Sequence, residues 1–171
     1  MCPKRPVHGF ACKRREVSGQ RLWGWVAAKT GGDAQRFFHN AFVVNYCPVA
    51  WCNAGGANIT PDKLPKAYRE SVLAAGDDAL RCVLCSTRLC VAAFVLTRRL
   101  CCRQLLALLQ PQVLIGVGAF AAARLRACAP EGARVVTMPH PSPASPAANK
   151  DWAGQADAAL AQAGIDLSQW Q

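Results

Sequence analysis

Two short apolar runs bracket a helical segment, and that alternation limits the fold more than any other feature of the sequence. Val113-Leu114-Ile115-Gly116-Val117-Gly118 and Ala133-Arg134-Val135-Val136-Thr137-Met138 have the length and aliphatic content of buried strands, and Pro139 ends the second. Between them, Ala119 to Cys128 is Ala-rich, carries Arg124 and Arg126, and reads as a helix. Near-continuous apolar strands alternating with helices point to a parallel sheet covered on its faces. With the helical patterns elsewhere, they predict an α/β fold, a three-layer sandwich around a short parallel sheet. Gly116-x-Gly118 is half of a dinucleotide-binding fingerprint, too little to assign one, and close helix–strand packing accounts for both glycines.

The second run leads directly into His140-Pro141-Ser142-Pro143 and then Ala144-Ser145-Pro146-Ala147-Ala148-Asn149-Lys150, a loop of prolines and small residues. A helical pattern follows from Asp151 to Ala163, stopped by Gly164. Ligands of open α/β sheets sit at the carboxyl ends of the strands, where His140 falls. The prolines restrict the loop, so little entropy is lost when it presses on a partner. His140 is therefore a candidate for acting on a ligand. The alternative is a histidine satisfied by a neighbouring backbone group at a loop start.

In chain order, residues 1–15 are basic and turn-rich, with Lys4, Arg5, Lys13, Arg14 and Arg15. Ser18 is placed to cap a helix from Gly19 to about Lys29, with Leu22, Trp25 and Val26 at helical spacing and Gly31-Gly32 as the stop. Trp23 and Trp25 are expected to pack rather than to stack on a base. Ala41-Phe42-Val43-Val44 reads as a short buried strand with Asn45 at its end. An Asn there offers a carbonyl acceptor and an amide donor side by side, or simply closes a turn before Pro48. Trp51 to Pro65 reads as a loop, and Thr60-Pro61 as a helix-start signature. Leu64 to Leu80 then forms an amphipathic helix, with Tyr68, Val72, Leu73 and Leu80 on its apolar face. Gln104 to Gln110 continues a helix that Pro111 breaks.

Composition bounds the partners. The 171 residues suffice for one domain with a sizeable core, and 52% hydrophobic against 18% charged residues is the balance of a folded protein. Twenty Lys and Arg against ten Asp and Glu leave a charge of +10, which favours nucleic acid first and acidic membrane second, unless the protein is merely basic. No apolar segment long enough for a membrane span is expected. The opening Met1-Cys2-Pro3-Lys4-Arg5 does not lead into an apolar signal segment, so the ten cysteines are expected as free thiols in a reducing compartment. Cys82-Val83-Leu84-Cys85 has metal-ligand spacing, but no second such pair and no paired His follow it, so no metal is expected.

Several segments together resemble the single-strand-selective monofunctional uracil-DNA glycosylases of the uracil-DNA glycosylase superfamily. His140-Pro141-Ser142-Pro143 with Pro146, Ala148-Asn149-Lys150 and Trp152 resembles their last motif. Phe37-Phe38-His39-Asn40 and Phe42-Val43-Val44-Asn45-Tyr46-Cys47-Pro48 resemble their central strand and base-reading loop. Pro3-Lys4-Arg5-Pro6-Val7, Glu16-Val17-Ser18-Gly19 and Arg21-Leu22-Trp23-Gly24 resemble the segment before it, and the match covers most of 1–80 and 102–165 in family order.

The resemblance implies base-excision repair: hydrolysis of the N-glycosidic bond of uracil in single- and double-stranded DNA, in the nucleus, by a monomer without cofactor. It implies His140 as the catalytic histidine that donates to O2 of the departing base, and Asn45 as the reader of the uracil edge. It implies a DNA wedge over Ser142 to Lys150, with Pro141, Ser142, Pro143, Ala144, Ser145, Pro146, Asn149 and Lys150 as DNA-binding residues. Two things depart from the pattern. Gly-Met-Asn-Pro-Gly and Pro-Phe-Gly runs, which precede the first matching segment in the family, do not occur in these 171 residues. They supply the Asn that positions water and the Phe that stacks on uracil, so residues 1–171 are expected to form one partial domain lacking the first strand. Residues 81–101, cysteine-rich and apolar, have no counterpart and are expected to be an insertion or translated non-coding sequence. Two other readings stand beside this one: a catalytically silent DNA-binding fragment, and a basic α/β nucleotide-binding protein built on Gly116-Val117-Gly118.

Overall fold

The structure is a computed structural model that describes residues 8–13, 15–46, 51–84 and 111–167. Chain order among them is α1 (Val17–Thr30), α2 (Ala34–Asn40), β1 (Trp51–Cys52), β2 (Asn58–Ile59), α3 (Lys66–Leu84), β3 (Leu114–Val117), α4 (Ala119–Cys128), β4 (Val135–Met138) and α5 (Ala148–Gln162). Short 3-10 turns lie at Gly9–Ala11 and Pro61–Lys63. These residues fall into two units, one drawn from 15–43 and 111–167, the other from 8–13, 44–46 and 51–84.

In the first unit β3 and β4 pair in parallel, with Leu114 opposite Val135 and Val117 opposite Met138. Side chains alternate across the two strands. Ile115, Val117, Val136 and Met138 join a core with Trp25, Val26, Phe37, Trp152, Ala156 and Leu160. The other face holds Gly116, where a Cβ would run into the backbone of Ala122, and Thr137, whose hydroxyl accepts from Arg126 Nη2 at 2.8 Å. Helix α4 therefore covers one face of the sheet while α1 and α5 cover the other. This small parallel sheet flanked by helices is an α/β arrangement, as the apolar runs predict.

Helix α1 begins after Glu16 rather than at a Ser18 cap, and Gly31 ends it in the left-handed region at φ 61°. Trp25 is buried in the core, while Trp23 is half-exposed and meets Phe37 edge-on. Helix α5 breaks at Asp151, whose φ/ψ of −148°/83° are non-helical. Asp151 Oδ1 accepts from Gly154 N–H at 2.9 Å, so it caps the long arm of the helix where the sequence pattern starts it. The expected buried strand over Ala41 to Val44 is not formed. Ala41 packs against the core, but Phe42, Val43 and Val44 are exposed by 50%, 47% and 53%, and no strand among the described residues pairs with them. An apolar run becomes a strand only where a neighbour supplies its ladder.

In the second unit β1 and β2 form an antiparallel pair within the expected loop, and Asn53 Oδ1 closes their turn by accepting from Gly55 and Ala57 N–H. Pro61 opens a 3-10 turn rather than the helix itself, and α3 follows from Lys66. Leu80 is buried as expected, whereas Tyr68 is 54% exposed. Beyond Leu84, the remainder of 81–101 and the expected helix over 104–110 lie outside the described residues, as do Lys4, Arg5 and Arg14.

Candidate functional site

Prolines at 139, 141, 143 and 146 leave the loop after β4 poor in N–H donors but not in carbonyls. Those carbonyls need donors from elsewhere. Trp152 Nε1 donates to the Pro139 carbonyl at 2.9 Å, and Arg21 Nη1 to that of Pro141 at 2.9 Å. Asn149 Nδ2 donates to the Pro143 carbonyl at 2.9 Å, and Gln155 Nε2 to that of Ala147 at 2.7 Å. Helices α1 and α5 thus hold the loop at four points. Within it, Ala144 N–H donates to Ser142 Oγ at 3.2 Å and Ser145 N–H to the Ser142 carbonyl at 2.9 Å.

The anchoring helices are themselves tied together. Trp25 and Trp152 meet edge-on with ring centres 6.1 Å apart. Trp25 Nε1 donates to Asp157 Oδ1 at 2.8 Å, and Lys29 Nζ to Asp157 Oδ2 at 2.6 Å. Burial pushes the Asp157 carboxyl up, but the hydrogen bonds from Lys29 and Trp25 and the Lys29 charge outweigh it and hold it below its ordinary value of 3.8.

His140 is exposed at the carboxyl end of β4. Its Nδ1 accepts from Ser142 N–H at 3.0 Å. A nitrogen that accepts carries no proton, so the neutral ring carries it on Nε2 and presents that N–H as a donor. The two readings of this histidine therefore meet: the backbone satisfies one nitrogen and by doing so sets the other. The ring lies on Gly118, whose φ of 93° and missing Cβ make the room; a Cβ there would stand 3.1 Å from His140 Cβ and Cδ2. Close helix–strand packing explains Gly116 but not Gly118, which is a seat for the imidazole.

The unit brings together His140, Pro141, Ser142, Pro143, Ala144, Ser145, Pro146, Asn149 and Lys150. Pro141 is buried, and Lys150 is exposed on the first turn of α5. Both polar groups of Asn149 are engaged within the chain, since its Oδ1 also accepts from Arg21 Nη2 at 3.0 Å. Asn45 belongs to the second unit, where it is exposed beside Tyr46. The Tyr46 hydroxyl donates to Asp77 Oδ1 at 2.7 Å and lies 2.9 Å from the Leu73 carbonyl, which ties the segment to α3. Arg21 and the Trp152 indole hold the loop and Gly118 seats the imidazole; sequence reasoning gave the first two no individual role and read Gly118 as helix–strand packing. The available signal was the donor-poor loop, which demands N–H groups from other elements. Among the described residues no three His, Cys, Asp or Glu side chains gather as a metal site; Cys85, Cys90, Cys101 and Cys102 lie outside them.

The site offers one oriented N–H donor at a strand end, on a loop stiffened by prolines that leads into the helix carrying the exposed Lys150. It is suited to stabilising negative charge that develops on a ligand.

No protein-family model matches the chain. It is 37% identical to the single-strand selective monofunctional uracil-DNA glycosylase of Rattus norvegicus, over 95% of this chain and 51% of that protein. The Bos taurus protein of that name is 37% identical over 95% of this chain and 53% of its own length, and the Mus musculus protein 36% over 95% and 51%. The chain spans about half the length of these curated relatives. Along nearly all of its length the chain is therefore similar to about half of each of these single-strand selective monofunctional uracil-DNA glycosylases.

Proposed function

We propose that the chain carries the leaving-group side of a uracil-DNA glycosylase acting in nuclear base-excision repair, as a monomer without cofactor. The observation that carries the reading is the Ser142 N–H bond to His140 Nδ1, which leaves Nε2–H as the donor of an exposed ring at the strand end. Cleavage of the N-glycosidic bond leaves its electron pair on uracil; water supplies the hydroxyl to the sugar carbon, and its remaining proton passes through solvent to the uracil anion. His140 Nε2–H donates to O2 of the departing base, and an oriented donor of this kind contributes ~3 kcal/mol. The proline-rich stretch Ser142 to Lys150 enters the DNA beside the extruded nucleotide. Lys150, with Lys4, Arg5 and Arg14, holds phosphates, so affinity is independent of sequence and falls steeply with salt. Asn45 pairs its amide with O4 and its carbonyl with N3–H of uracil, and rejects cytosine. Both single- and double-stranded DNA are substrates.

The Asn that would position water belongs to a run that does not occur in these 171 residues. Expressed as it stands, the chain binds uracil-containing DNA but releases the base slowly. Orientation of reacting groups can contribute ~7 kcal/mol or more, so the deficit should reach several orders of magnitude. A second reading is a DNA-binding fragment without catalysis.

Two measurements on the same oligonucleotides test these readings. Binding to a single-stranded oligonucleotide should be tighter with uracil than with cytosine at one position; Asn45→Ala should remove the difference, while His140→Leu should weaken binding of both by removing the donor to O2, which the two bases share. Equal affinity for the two, or no effect of His140→Leu, sinks the glycosylase reading. Single-turnover release of uracil at stoichiometric protein measures catalysis: full conversion within minutes, abolished by His140→Leu, would refute the expected deficit. Uracil-selective binding with no detectable release would favour the silent fragment.

A further inference from the structure

We propose that Arg21 is a positioning residue for His140, acting through the peptide that joins Pro141 to Ser142. Both polar groups of that one peptide are engaged. Arg21 Nη1 donates to the Pro141 oxygen at 2.9 Å, and Ser142 N–H donates to His140 Nδ1 at 3.0 Å. The peptide is trans. In a planar trans peptide the C=O and N–H point in opposite directions, so holding the oxygen toward α1 aims the N–H at the imidazole. A cation on the oxygen also polarises the peptide and makes its N–H the better donor.

The guanidinium is itself prevented from turning away. Its planar fork gives two donors at fixed spacing. The second, Nη2, donates to Asn149 Oδ1 at 3.0 Å, and Asn149 Nδ2 reaches back to the Pro143 carbonyl at 2.9 Å. One side chain from α1 thus joins both ends of the loop and sets the plane of the peptide that selects the histidine tautomer. The catalytic meaning of this device rests on the glycosylase reading, because it is the Nε2–H donor that would face the departing base. The device itself does not depend on that reading.

Nuclear magnetic resonance on the intact, isotope-labelled chain tests it. In the unsubstituted protein His140 should show the Nε2–H tautomer and a scalar coupling across the Ser142 N–H to Nδ1 bond; absence of that coupling overturns the proposal. Arg21→Met keeps the aliphatic stem and removes the donors. The coupling should then vanish, and the ratio of Nε2–H to Nδ1–H forms should fall about fivefold, the loss of one neutral hydrogen bond. An unchanged ratio, with the Trp25 and Trp152 indole resonances still native, overturns the proposal. Should Arg21→Met lose those indole resonances, Arg21→Lys decides. It retains one donor for Pro141 but cannot hold Asn149 as well, so the ratio should fall about twofold; no change overturns the proposal. Uracil binding measured in parallel separates the two ideas. If uracil is not bound selectively but the tautomer follows Arg21, the glycosylase reading fails and the positioning role stands. If uracil is bound but the tautomer ignores Arg21, only the positioning role fails.

Discussion

Replacing Gly118 with alanine should destabilise the β3–β4 unit by about 2–3 kcal/mol and displace His140. Two effects add. Gly118 has φ 93° and ψ 158°, a region that is essentially reserved for glycine and costs any other residue about 1–3 kcal/mol. The new methyl would also stand 3.1 Å from His140 Cβ and Cδ2 and 3.4 Å from Cγ, so the ring must give way by a few tenths of an ångström. His140 is exposed and can move, so most of the cost comes from the backbone, while the movement strains the 3.0 Å bond to Ser142. For a chain of this size the melting temperature should fall by about 4–12 °C. Gly116→Ala is the control. Its methyl would meet the Ala122 backbone on the other face of the sheet, so it should destabilise without altering the His140 resonances. Calorimetry with His140 ring shifts checks both variants. A Gly118→Ala protein that melts with the parent and keeps the His140 shifts would refute the idea that this glycine seats the imidazole.

Asp157 gives a pH dependence of defined sign. Its carboxyl is held below the ordinary 3.8, so the stability contributed by its bonds to Lys29 and Trp25 is present above that value and is lost as pH falls through the lower folded value. Asp157→Asn should flatten that part of a urea-derived stability profile, and a profile parallel to the parent's would count against it. Asp151→Ala should cost about 1 kcal/mol by removing the cap of the long arm of α5, while Asp151→Asn should cost less; equal urea midpoints for Asp151→Ala and parent would show that the cap is idle. Leu160 is fully buried, and Leu160→Ala should cost about 2–5 kcal/mol in the same assay. Asn45→Asp should weaken binding of a uracil-containing single-stranded oligonucleotide, because a carboxylate would face O4 of the base. Unchanged affinity removes Asn45 from the uracil-reading role.

Much of the first unit was legible residue by residue. Leu114–Val117 and Val135–Met138 are strands inside the two apolar runs, and Ala119–Cys128 is the helix between them. Gly31 and Gly164, both in the left-handed region, stop α1 and α5 where predicted. These features follow from near-neighbour chemistry: apolar content, helical period, a glycine able to take positive φ. Ala41 to Val44 shows where such reasoning fails. Four apolar residues in a row carry no period, and whether they form a buried strand depends on a ladder partner from another part of the chain.

The sequence by itself determined the α/β class of the first unit, the order β3, α4, β4, α5 within it, and the position of His140 at a strand end. Only the tertiary structure decided how that histidine is held. The Arg21 bond to Pro141 spans 120 residues of sequence, and Gly118 meets His140 because β3 and β4 lie side by side. Local propensity acts over a few residues, whereas the donors that hold a proline-rich loop are chosen by which elements packing brings within about 3 Å of its carbonyls. A sequence can state that the loop needs donors; the fold alone chooses them.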